Sequence, residues 1–173
     1  LLGDCGAYGG FGGGFPLGPT RMMAQGPYLI PKISVTASAV STNTAPMGAF
    51  RGAGRPEAAA LLERLMDLAA AEVGLMPEEI RRRNLIPHDR FPFRTSVGTV
   101  YDSGDYQKAL LTARDKIGLA AWRERQRKGE PDGRLIGVGF ASYCEQTAHG
   151  TSVFSGWGLP IVPGYDQATV RVM

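Results

Sequence analysis

Residues 48–57 read Gly-Ala-Phe-Arg-Gly-Ala-Gly-Arg-Pro-Glu, and no other stretch constrains the fold as strongly. Two glycines flanking one alanine, Gly52 and Gly54, permit positive φ, close backbone approach and a run of outward amide donors. Pro56 presets φ for the first turn of a helix and lacks the N–H that such a turn leaves unused. The pattern predicts a tight turn that delivers Arg51 and Arg55 to a helix N-terminus, where guanidinium forks and amides suit the oxygens of an anion. On spacing alone it equally describes a plain turn into a solvent-facing helix, because no Walker lysine or dinucleotide fingerprint follows.

A helical segment is expected over 56–128. From Pro56 to Val73 the apolar residues Ala58, Leu61, Leu62, Leu65, Leu68, Ala69 and Val73 recur at helical spacing, with Glu63, Arg64, Asp67 and Glu72 opposite. Gly74 stands where a helix stops. Pro77 opens a second, short helix, acidic at Glu78 and Glu79 and basic at Arg81 to Arg83, as the dipole favours; Pro87 ends it. Asp102 to Asp105 supply caps for a third helix, Tyr106 to Arg127, with Ala109, Leu110, Ala113, Ile117 and Ala121 as its buried stripe and Gly118 a point of division. The charged runs 81–83 and 123–128 sit on these helices and read as solvated faces, not as a nucleic-acid surface.

The rest is glycine-rich or strand-like. Residues 3–18 form a glycine-rich loop with Tyr8, Phe11 and Phe15, a composition unsuited to a regular helix; it either lies beside a ligand or packs on its own aromatics. Residues 32–42 alternate apolar and polar side chains, as a strand with one wet face does. Residues 134–147, dense in Val138, Phe140 and Tyr143, read as a strand, and 168–173 as another. This order predicts an α+β fold, helices packed on a mixed or mostly antiparallel sheet.

At 173 residues, 43% hydrophobic and 20% charged, the chain has the makeup of one globular domain. It shows no membrane span and no signal peptide, and starts at Leu1 without methionine, as an internal fragment would. Cys5 and Cys144 lack zinc or redox spacing, which favours a reduced, cytoplasmic setting. His88 and His149 have no nucleophile and acid at triad spacing, Glu145, following a strand, either orients a ligand or faces water, and no metal-ligand set is apparent. The residues therefore offer one ligand-binding loop and no complete catalytic site.

The string 49–57 resembles a loop of the molybdopterin-binding large subunits of the xanthine dehydrogenase and aldehyde oxidase family. Gly26-Pro27-Tyr28-Leu29-Ile30-Pro31 before it, and Arg82-Arg83-Asn84-Leu85-Ile86-Pro87 and Tyr101-Asp102-Ser103-Gly104-Asp105 after it, resemble the same family in the same order. The resemblance implies a molybdenum hydroxylase that converts an aldehyde or N-heterocycle C–H to C–O and passes electrons to iron–sulfur and FAD partners, within a homo-oligomeric complex. It places Arg51 beside the molybdenum centre, with Gly52, Ala53 and Gly54 forming the cofactor-binding loop. Ala53 stands where xanthine-oxidising members carry a stacking phenylalanine, which argues against flat purines. Gly52 stands where copper-containing carbon monoxide dehydrogenases carry a cysteine, so the soft ligand for copper(I) is missing. The family's other cofactor loops and its catalytic glutamate are expected outside residues 1–173, so the chain alone is expected to be inactive. A non-catalytic structural or interaction domain is the second reading.

Overall fold

The computed structural model describes residues 1–9, 11–147, 149–156 and 167–172, in two units, Leu1–Tyr143 and Cys144–Met173. In chain order the elements are β1 (Leu2–Asp4), α1 (Phe11–Gly14), α2 (Leu17–Met22), β2 (Ser38–Val40), α3 (Arg55–Glu72), α4 (Pro77–Asn84), a 3-10 turn (His88–Arg90), β3 (Phe93–Arg94), β4 (Val100–Tyr101), α5 (Tyr106–Lys116), α6 (Leu119–Lys128) and α7 (Thr151–Gly156). The class is α+β, with its sheets reduced to two ladders among the described residues. β1 pairs in parallel with β2, Gly3 opposite Ala39, and β3 pairs antiparallel with β4, Phe93 opposite Tyr101.

The helix boundaries follow local chemistry. Gly54, at φ 85°, caps α3, and at its other end Gly74 takes φ 67°. There Leu75 N–H donates to Ala70 O at 2.9 Å and Gly74 N–H to Ala71 O at 3.3 Å, the paired bonds of a Schellman stop. Asp105 caps α5 by accepting from Lys108 N–H at 3.0 Å, and Gly118, at φ 64°, separates α5 from α6.

The core of the first unit gathers Tyr28, Leu62, Met66, Ala70, Ile80, Leu85 and Leu110, with Ile30, Leu75, Tyr106 and Phe140 against it. α3 buries Ala58, Leu62, Glu63, Met66 and Ala70, whereas Leu61, Leu65, Leu68 and Val73 stay at least half exposed. The expected stripe is thus rotated, and Glu63, expected opposite it, is inside. The reason lies on α4. Arg81 is 0% exposed and uses all five guanidinium N–H donors: on Glu63 Oε2 (2.8 Å), Asp67 Oδ1 (2.8 Å), and the carbonyls of Pro77 (2.9 Å), Glu63 (3.1 Å) and Phe140 (3.0 Å). Tyr28 Oη–H completes the network on Glu63 Oε1 at 2.5 Å; burial, then this bond, holds the phenol well above its ordinary range. Arg81 is therefore a core residue, not part of a solvated face. Arg82 and Arg83 do lie outside, both on Glu79.

Three further expectations are corrected. The glycine-rich loop 3–18 contains one short helix and the start of a second, and several of its glycines are packed: a Cβ at Gly13 would stand 2.7 Å from Cys5 Cα, and one at Gly3 3.2 Å from Leu17. Close packing offsets the cost of about 1 kcal/mol that each glycine adds to a helix. The strand expected over 32–42 is limited to β2, whose residues are all exposed. Residues 134–147 form no ladder among the described residues, and neither do 167–172; Met173 lies outside them. In the second unit α7 carries Phe154 edge-on to His149, ring centroids 5.8 Å apart.

Candidate cofactor-binding loop

The loop before α3 is two successive tight turns. Ala53 N–H donates to Phe50 O at 3.0 Å and Arg55 N–H to Gly52 O at 2.9 Å, after which Ala58 N–H reaches Gly54 O at 3.0 Å and the helix begins. Gly52 and Gly54 take φ 95° and 85°, conformations costly for any residue with a Cβ. Gly54 is fixed twice over, because a Cβ there would also stand 2.4 Å from Pro16 O and 2.6 Å from Thr20 N. The first turn of α2 thus forms the floor of the loop.

The same contact mode continues upstream. A Cβ at Gly6 would stand 2.5 Å from Ala45 O, and one at Gly12 3.1 Å from Gly48 Cα. Asp4 holds the approach to the loop, its carboxylate accepting from Gly6 N–H (2.8 Å), Thr42 Oγ1 (2.7 Å) and Thr44 Oγ1 (3.2 Å). The Thr42 bond first, then the Gly6 amide, holds that carboxyl below its usual value. The glycine-rich segment and the 48–57 loop, read separately from the sequence, are thereby one structure. The signal was there in the number of glycines, but not the pairing.

The structure presents the four residues of the loop unequally. Arg51 is exposed and Gly52 half-buried, while Ala53 and Gly54 are buried. Among the described residues the N–H groups of Arg51, Gly52 and Gly54 have no acceptor. Ala53 is only 9% exposed, so a phenylalanine there would have to displace its neighbours before walling any slot. Phe50, at 90% exposed, is the aromatic that the loop offers to its surroundings. Arg55 is turned back, its Nη1 donating to Ala53 O at 3.2 Å.

The other candidates lie elsewhere. His88 Nδ1 is 2.8 Å from Gly104 O, Cys5 is buried, Cys144 half-buried and Glu145 exposed. Among the described residues no group of three His, Cys, Asp or Glu could hold a metal, and no helix is long and apolar enough to cross a membrane. An apolar groove between α2 and α3, lined by Ala24, Val35, Leu61 and Leu65, includes no residue of the loop.

The loop thus combines two positive-φ glycines, an exposed arginine and amides without acceptors among the described residues, directly before a helix. Residues 1–85 match the molybdopterin cofactor-binding domain. The gamma subunit of the 6-hydroxypseudooxynicotine dehydrogenase complex of Paenarthrobacter nicotinovorans is 36% identical over 147 residues, 82% of this chain and 18% of that protein. The chain belongs to the molybdopterin-binding subunits of the xanthine dehydrogenase and aldehyde oxidase family. The carbon monoxide dehydrogenase large chain of Hydrogenophaga pseudoflava is 37% identical over 143 residues, 80% of this chain and 18% of that one. Among solved structures, quinoline 2-oxidoreductase from Pseudomonas putida 86 superposes with a TM-score of 0.81 at 32% identity, covering 92% of this chain and 20% of that one. The chain therefore spans about a fifth of the length of these family members.

Proposed function

We propose that residues 48–57 form one wall of the molybdopterin site in a molybdenum hydroxylase, whose subunit oxidises an aldehyde or N-heterocycle C–H to C–O with oxygen from water. The observation that carries the reading is the loop itself: Gly52 and Gly54 at positive φ, Gly54 closed against α2, and Arg51 exposed beside amides without acceptors. Such a surface fits an anionic, oxygen-rich cofactor, because backbone donors and a guanidinium meet it without a side chain in the way. When bound, the molybdenum group supplies the two-electron chemistry; iron–sulfur and FAD partners receive the electrons.

The residues of this chain bind and orient. The amides of Arg51 and Gly52 donate to cofactor or substrate oxygens, and the Arg51 side chain offsets negative charge there. Ala53 and Gly54 contribute through the backbone, as their burial requires. No residue of the loop offers a thiolate, so copper chemistry of the carbon monoxide type finds no soft ligand at Gly52. The chain without the rest of its subunit encloses too little of the cofactor to work. Purified from a host that makes the cofactor, it is expected to contain no molybdenum and to oxidise no aldehyde; stoichiometric metal by elemental analysis would overturn this.

Within the full subunit, Arg51→Ala is expected to lower turnover at least about tenfold at matched molybdenum content, equivalent to about 1.4 kcal/mol of transition-state stabilisation. An exposed side chain can be removed without unfolding the loop. Steady-state kinetics checks it, and unchanged rates would remove Arg51 from the site.

A further inference from the structure

Residues 135–143 behave as a strand without a neighbour. Exposure alternates residue by residue, with Ile136, Val138, Phe140 and Ser142 half-buried and Leu135, Gly137, Gly139, Ala141 and Tyr143 exposed, and the backbone runs without a turn or sharp bend. Period-two geometry sends the backbone groups of the half-buried set to one edge and those of the exposed set to the other. The first edge is held at two carbonyls: Ile136 O accepts from Gln126 Nε2 at 2.9 Å, and Phe140 O from Arg81 Nη2 at 3.0 Å. Arg81 cannot shift, since its other donors are all engaged inside the core.

The second edge is bare. The N–H and C=O groups of Gly137, Gly139 and Ala141 have no partner among the described residues. Proteins guard true edges with charge, proline or a bulge, and 135–143 contains no charged residue and no proline. An open groove of about 360 Å³ lies between residues 139–143 and Tyr106, Ala109 and Ala113 of α5, with Ile117 at the helix's C-cap. The stripe expected to be buried on α5 is thus mostly uncovered: Ala109 and Ala113 are exposed, and Ile117 is 45% exposed.

We infer that residues 135–143 receive a further β-strand from the part of the large subunit outside residues 1–173, an extended segment with apolar residues on the side that covers α5. Strand addition supplies the bare edge with main-chain bonds and fills the groove in one step. The occupant is assigned to the same subunit because a solved family member matches 92% of this chain with 20% of its own, leaving the other four fifths to supply the strand. The inference rests on membership of that subunit and is independent of the cofactor role of Arg51.

The test compares amide exchange by mass spectrometry in peptides covering 135–143, in the full-length large subunit and in the 173-residue chain. Exchange is expected to be roughly 100-fold slower in the subunit, while peptides from the middle of α3 differ little. Equally rapid exchange in both overturns the inference. Slow exchange in the 173-residue chain overturns it too: if it depends on concentration the occupant is a second copy, and if it does not the partner lies within residues 1–173. Exchange reads no bound molybdenum, so a failed Arg51 variant and a failed strand are separate results.

Discussion

Two regions of this molecule are held together in opposite ways. Around α3 and α4, side chains do the holding: apolar residues close over a fully bonded Arg81, Glu63 and Tyr28. Around the 48–57 loop, backbone lies on backbone, and glycines at 6, 12, 13 and 54 are what permit the approach. The first arrangement uses its side chains up. The second leaves them over, and so Phe50 and Arg51 remain available at the surface while the chain beneath them is fixed.

The sharpest way to break the contrast is in the helical region. Arg81→Met leaves Glu63 buried without its cation, and losing one partner of a buried pair costs about 3–5 kcal/mol; chemical denaturation of the 173-residue chain should show that loss. A midpoint unchanged from wild type would mean that the network contributes nothing net.

In the loop region the decisive pair is Gly54→Ala against Gly48→Ala. Position 54 combines positive φ with a 2.4 Å backbone clash, whereas a Cβ at Gly48 meets nothing within 4 Å. The first substitution is expected to cost about 2–4 kcal/mol and the second less than about 0.5 kcal/mol. Equal costs would show that backbone contact is not what holds the loop.

The smallest effect is electrostatic and appears on the acid side. Bonds from Arg82 first and Arg83 second lower the Glu79 carboxyl from its usual 4.5 to about 2. A carboxyl depressed on folding adds stability that is fully present above the unfolded value and is lost as pH falls through the folded one. The window for Glu79 therefore runs from pH 4.5 down to about 2. Thermal melts across that range should show Tm falling less steeply in Glu79→Gln than in wild type, with the difference shrinking in high salt because the pair is exposed.

Much of this fold is legible in the sequence. Pro56, Gly74, Pro77, Asp105 and Gly118 marked helix starts, stops and a division, and the structure puts boundaries at or within a residue or two of them. The glycine turn and its exposed Arg51 were also readable, because φ preferences and caps act within about four residues along the chain. Which face of α3 is buried was not. Leu61 and Leu65 are as apolar as Leu62 and Met66, and only the arrival of Arg81 from α4 and Tyr28 from far upstream settles the rotation.

Local chemistry in the sequence set where the helices of residues 55–128 begin and end, where the backbone turns left-handed at Gly52 and Gly54, and that the loop at 48–57 carries an arginine between glycines. The tertiary structure alone decided that Arg81 is core, that Ala53 faces inward, that α2 is the floor under Gly54, and that 135–143 is an extended segment with one edge pinned and one bare. Those outcomes depend on contacts between residues tens of positions apart, and burial is a property of what arrives from elsewhere in the chain rather than of the residue that is buried.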